Sequence, residues 1–422
     1  MATVVWKGDS KAIAQVVTVV VGGTWATGDT ATITLNGKGV TFTCAATQTI
    51  AAMVAGLVAA WNASTEPEHS EITATDASPN VVLTADTAGM PFCGAVTASE
   101  VSAAGTISPS TTTASSGPYD LNVAANWDTG ALPANTNDVV FENTAAPCKY
   151  SLSSLPAIVL SSLSYKASDA ADLGLPRVHS ISGVGDYVET RATYLAIAAN
   201  TTTIGEGSGS ATRRCKVNYG NTVSAVTVFA TGAKIETGIP AVLLQNLAAN
   251  STLTVHKGSV GVALFSGELA TITTSKVGYE TAILSDSEVV YGPGASMTTI
   301  TQDGGTITVL PNVAASTITT INQNNGTFTI QGSVAVTTWT CLGGTIYDQS
   351  SGTIGTLNLY GTYDHRKSMV AKTITTLNMY KGAKFYDPAG VVTVTSGFKL
   401  ALGVKWSDVF IDSPPNKTWT MT

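Results

Sequence analysis

ITTINQNNGTFTIQGSVAVTTWTCLGGTIYDQSSGTIGTLNLYGTYD, residues 318–364, is a sequence that repeats itself. The unit Ile318-Thr-Thr-Ile returns as Val336-Thr-Thr-Trp and Ile354-Gly-Thr-Leu, with further copies at Met297-Thr-Thr-Ile and Ile374-Thr-Thr-Leu. Between these units a Gly-Thr or Gly-Ala dipeptide starts at Gly305, Gly326, Gly344, Gly361 and Gly382, at intervals of 21, 18, 17 and 21 residues. Such coils are too short for a helix pair and suit three brief strands joined by turns. Stacked about 4.8 Å apart, each strand pairs with its counterpart above and below. Hydrophobic residues then form columns that fill a lumen: Ile318, Val336, Ile354 and Ile374 in one, Ile321, Trp339, Leu357 and Leu377 in another. Thr320, Thr338, Thr356 and Thr376 form a third column, either an inward ladder of hydroxyls or an outward solvated face. Ile374 and Leu377 differ in strand parity, so one column sits past a corner that the sequence does not locate.

Worked outward from this stretch, the expected fold is mainly β: a right-handed parallel β-helix over 186–396, preceded by a small α+β domain over 1–110. Residues 111–185 are expected to form a linker and a β lead-in that caps the first coil, and 397–422 a C-terminal cap or oligomer contact. In the N-terminal part, Thr30 to Leu35 and Val40 to Cys44 flank Asn36-Gly37, a hairpin signal because that turn needs positive φ. Ile50, Met53, Val54, Leu57, Val58 and Trp61 make one apolar helical stripe, which Thr47 or Thr49 can cap. Strands before and after it predict the order β-β-β-α-β-β. The Ser/Thr-rich run from Thr106 to Pro118 reads as linker.

Composition narrows the function. Charged residues make up 12% of the chain, against about 25% in ordinary soluble domains. The net charge of −7 argues against nucleic acid and anionic membranes, because no basic stripe is present to neutralise phosphates. The longest apolar stretch, Ile50 to Trp61, is too short to span a bilayer, and no basic region followed by an apolar core marks a secretory signal. Cys44, Cys93, Cys148, Cys215 and Cys341 are odd in number and never in a CxxC arrangement, which predicts reduced, buried thiols.

A search for chemistry turns up few candidates. Asp286 and Glu288 are two apart and would project to one side of a strand, as the acid and base of a polysaccharide-cleaving β-helix do, or simply face solvent. A Tyr-Asp dipeptide recurs at Tyr347-Asp348, Tyr363-Asp364 and Tyr386-Asp387, lining up three carboxylates or serving turn geometry. His365, between Asp364 and Arg366, has no nucleophile assigned to it and reads as part of a loop inserted between coils. The histidines and cysteines have no metal-ligand spacing, and the glycine-rich pieces lack a phosphate-binding lysine, so no metal and no cofactor is expected. Tyr347, Tyr360, Tyr363, Tyr380 and Tyr386 recur near turns, where they form a subunit seam or stack on sugars.

Two stretches resemble the β-helical fibre, spike and capsid-decoration proteins of tailed bacteriophages. The first is VVTVVVGGTWATGDTATITLNGKGVTFT (16–43) with IAAMVAGLVAAWNAS (50–64) and VVLTADTAGMPF (81–92), which looks like a small α+β module of phage structural proteins. The second is AANWDTGALPANTNDVVF (124–141) followed by GGTITV, NGTFTI and GGTIYD coils. The resemblance implies a homotrimer on the virion surface, assembled in the host cytoplasm, with the N-terminal domain on other virion proteins such as major capsid or tail proteins. The expected function is a non-enzymatic capsid-decoration protein, head fibre or tail fibre that stabilises the particle or contacts a host surface glycan. The alternatives are a tailspike polysaccharide depolymerase and a bacterial surface adhesin.

Overall fold

The computed structural model describes residues 2–153, 158–176, 178–181, 185–209, 214–232, 240–248, 251–262, 269–274, 288–291, 297–311 and 317–415. Successive coils feed two parallel sheets alternately. Among the described residues one sheet has thirteen strands and the other eleven. In the clearest region Thr317–Gln323 enters the first sheet, Thr327–Gly332 the second, Ala335–Cys341 the first and Thr345–Ser350 the second. The expected parallel β-solenoid is therefore present, with the columns in the expected register: Ile318 pairs Val336, which pairs Ile354, which pairs Ile374, and likewise Ile321, Trp339, Leu357 and Leu377.

Each coil carries two named strands rather than three, and the physical reason is also the missing corner. Ile318 and Ile321 are both fully buried although three residues apart. Strict alternation would put them on opposite faces. The pairing jumps from Ile318↔Val336 to Thr320↔Thr338, and the same skip recurs at Val336/Thr338 and at Ile354/Thr356. Thr319, Thr337, Gly355 and Thr375 are thus the bend, taken inside the strand without ending it. The threonine column Thr320, Thr338, Thr356 and Thr376 is half-buried and lies on the outer side of this bend. Beside it the side chains bond along the axis, Asn378 Nδ2 to Asn358 Oδ1 at 2.8 Å and Asn358 Nδ2 to Thr340 Oγ1 at 3.2 Å.

The glycine turns stack directly. Gly326 and Gly344 have φ of +94° and +79°, and a Cβ on Gly344 would lie 2.1 Å from the Gly326 carbonyl oxygen. Neither the left-handed backbone nor the contact tolerates a side chain. Just inside the turns, buried Gln302 donates from Nε2 to the carbonyls of Gly305 and Thr327, and Gln323 does the same to Gly326 and Thr345.

The solenoid is longer than the sequence suggests. Asp138–Phe141 and Val159–Lys166 already belong to the larger sheet, and Thr3–Val5 pairs with Asp138–Phe141 as its first strand. At the other end Val392–Leu400 and Phe410–Asp412 complete the two sheets beyond residue 396. One continuous buried cluster runs from Val4 to Phe398. The first coils were obscured because their spacing is irregular and their opening strand comes from the far N-terminus.

The N-terminal module has its own core, in which the helix Ile50–Asn62 buries Met53, Val54, Leu57 and Trp61. Thr49 caps it, its side chain accepting from the Ala52 N–H. The expected order holds and continues with two further strands, Val96–Val101 and Ala104–Thr113. The latter overturns the linker reading of 106–118: it pairs antiparallel with Val16–Thr24 at the edge of a four-stranded sheet. Threonine is a good strand residue, and Pro109 is tolerated because an edge strand has an amide row that needs no partner.

Candidate functional site

Of the acidic pair, Asp286 lies outside the described residues. Glu288 opens the strand Glu288–Tyr291 and pairs with Ser259 and Thr306. The three Tyr-Asp dipeptides do not line up their carboxylates. Tyr347 pairs with Asp364, and Asp364 with Tyr386, so the middle dipeptide is offset by one residue. Asp348 and Asp387 consequently face inward, fully buried. Asp387 there accepts from the Val391 and Val392 amides.

The same offset divides the tyrosines. Tyr363 is fully buried in the lumen, stacked on Phe385 at 4.8 Å, and cannot meet a partner subunit or a glycan. That part of the expected tyrosine surface is corrected: strand parity, not proximity to a turn, decides the face. Tyr360 and Tyr380 do come together, stacked at 3.8 Å between ring centroids on adjacent coils. Tyr347 and Tyr386 flank Asp364 on the outer face of the smaller sheet.

This outer face carries cations on aromatic rings. Arg366 forks onto Asp364, with Nε 3.0 Å from Oδ1 and Nη2 2.6 Å from Oδ2. Its guanidinium lies 4.2 Å from the Tyr386 ring centroid, and Lys367 Nζ lies 5.4 Å from that of Tyr347. Burial raises the Asp364 carboxyl pKa, but the hydrogen bonds and charge of Arg366 outweigh it and hold the group below its ordinary value. An anionic Asp364 clamped this way is a positioning group for Arg366, not a proton donor. His365 is buried behind it, its Nε2 2.9 Å from the Val370 carbonyl oxygen, closing the loop that presents exposed Met369 and Val370.

At the C-terminal end the exposed Trp406 and Phe410 line a groove with Val409, Ile411, Ser413, Pro414 and Pro415, and Leu402 is also exposed. Here Val392–Leu400 and Phe410–Asp412 are the last strands of their sheets, so each presents an outer edge with no further strand among the described residues. Open edges beside exposed apolar side chains suit association.

The cysteines are free and buried. Burial pushes the Cys93 thiol up to about 12 and that of Cys341 to about 11, far from a nucleophilic thiolate at neutral pH. Among the described residues no group of three or more His, Cys, Asp or Glu is placed to hold a metal ion.

Sequence reading missed one constellation. Asp348, Ser350 and Lys372 converge in the lumen with Tyr363. A signal was available: Lys372 stands two positions before the inward Ile374, so alternation points it inward too.

No family model matches the chain, and neither curated proteins nor solved structures match it.

Proposed function

We propose that the chain is a non-enzymatic structural protein of a tailed-bacteriophage particle, a homotrimeric β-solenoid on the virion surface acting as a capsid decoration, head fibre or tail fibre. The observation that carries this reading is that the acidic groups of the Tyr-Asp series are spent on architecture. Asp348 and Asp387 hold lumen groups and backbone amides, and Asp364 is clamped by Arg366. A stiff stack with a filled core, a cation-on-aromatic flank and exposed Trp406 and Phe410 at its end is what a rod that packs against other proteins needs. The resemblance of 16–92 and 124–141 to phage structural proteins supplies the particle context, with the N-terminal module as the part that anchors it.

Cryo-electron microscopy of particles from cells expressing the chain in its native setting tests this directly. Density for the solenoid in three-fold groups on the particle exterior is expected. Release of new reducing or unsaturated ends from a capsular polysaccharide by the purified protein would overturn the reading in favour of a depolymerase.

A further inference from the structure

The lumen holds a lysine and an aspartate that are both completely buried. Asp348 and Ser350 lie on the inward side of Thr345–Ser350, in step with Ile346. Lys372 enters from the start of Lys372–Met379, one coil further along, and Tyr363 from the strand between. Lys372 Nζ is 2.9 Å from Asp348 Oδ2 and donates to Ser350 Oγ at 2.8 Å. Tyr363 OH donates to the same Oδ2 at 2.9 Å. The other carboxylate oxygen, Oδ1, accepts from the Ser350 amide at 2.9 Å and from Ser350 Oγ at 3.0 Å.

We propose that Lys372 and Asp348 condense spontaneously into an amide, an intramolecular isopeptide bond that ties one coil of the solenoid to the next. Two opposite charges sealed in an apolar lumen are poorly stabilised as an ion pair, and transfer of one proton from ammonium to carboxylate leaves both groups neutral. Burial lowers the Lys372 pKa against the opposing pull of Asp348, which favours the free amine that acts as nucleophile. The amine lone pair then forms a bond to Asp348 Cγ, and the carbonyl electron pair moves onto Oδ1. That is the oxygen held by two Ser350 donors, an arrangement suited to a developing oxyanion. Oδ2, already carrying the first proton, takes the amine's second proton and leaves as water while Tyr363 steadies it. One N–C bond forms, one C–O bond breaks, and one water is released. No oxidant, metal or cofactor is consumed.

The reaction needs only what the fold provides. Nucleophile and electrophile are held at contact distance by strands that cannot part without unstacking the coils, so the effective concentration is high and competing water is excluded. The product replaces two buried charges by a neutral amide.

Mass spectrometry of the intact, purified full-length protein is the test. A mass lower than the sequence value by one water is expected, together with a branched proteolytic peptide joining the segments that contain Asp348 and Lys372. Lys372→Arg and Asp348→Ala should each restore the full sequence mass. Asp348→Asn should instead lose one ammonia from its own sequence mass, because the same attack on a carboxamide expels ammonia. A wild-type mass at the sequence value, or a link mapped to other residues, would overturn the proposal, and neither result depends on how well a variant folds.

Discussion

Arg191 of the solenoid places its guanidinium Nη2 3.2 Å from Glu71 of the N-terminal module and its Nε 2.8 Å from Glu189. All three side chains are nearly inaccessible, between 0 and 9% exposed. Arg191 also donates to the Pro91 carbonyl at 2.7 Å, and Thr190 Oγ1 bonds the Cys93 carbonyl, so a pair of consecutive residues fastens the module to the rod.

Arg191→Ala is expected to loosen this joint. Removing the cation from two buried carboxylates costs about 3 kcal/mol. Limited proteolysis should then cut near residues 86–95 or 189–194 faster than in the wild type, while the two cores stay resistant. Unchanged cleavage would show that the contact does not hold the module.

Two glycine turns should respond unequally to the same change. Gly382 has φ +88° but open space around it, so Gly382→Ala should cost only the left-handed backbone penalty, about 1–2 kcal/mol. Gly344→Ala adds a collision with the Gly326 carbonyl 2.1 Å away and should cost roughly twice as much. Thermal melts of the two variants, compared side by side, decide it.

Trp339 fills the lumen edge-on to Phe328 at 4.8 Å, stacked in its column between Ile321 and Leu357. Trp339→Ala should therefore destabilise by about 3–5 kcal/mol, and Trp339→Leu by clearly less. Its indole Nε1 has no hydrogen-bond partner among the described residues, so the leucine also removes a buried donor. Denaturant unfolding followed by tryptophan fluorescence and far-UV circular dichroism measures both.

Asp169 is buried, and burial raises its carboxyl to about 6 from an ordinary 3.8, against the hydrogen bond from the Ala171 amide. Its folded value exceeds its unfolded one, so the folded state binds the proton more tightly. Its contribution is complete below pH 3.8 and is lost as pH rises through about 6. Asp169→Asn should remove this dependence and raise stability at pH 7 by about 3 kcal/mol. Unfolding midpoints at pH 4 and pH 7 check the sign; equal pH slopes for wild type and variant would show that Asp169 is not the source.

Much of this fold was legible because a solenoid turns tertiary contacts into sequence intervals. Between Met297 and Tyr386, residues paired across adjacent coils recur 17 to 22 positions apart, so the pairing of Ile354 with Ile374 or Tyr347 with Asp364 can be sought in one dimension. The helix Ile50–Asn62 was legible for the complementary reason, its apolar spacing and its cap being local. The strand Ala104–Thr113 was not, because its Ser/Thr composition fits a linker equally well until a partner strand fixes it.

The sequence alone determined the layers of the clearest coils, namely which residues share a column, together with the left-handed turn at Asn36-Gly37 and the burial of the thiols. Tertiary structure decided the faces. Whether Tyr363 or Tyr386 points outward depends on a one-residue offset against the neighbouring coil, and side-chain direction flips with every residue along a strand. It also decided that Lys372 meets Asp348, because two residues 24 apart become neighbours only when the coil between them closes with one definite circumference.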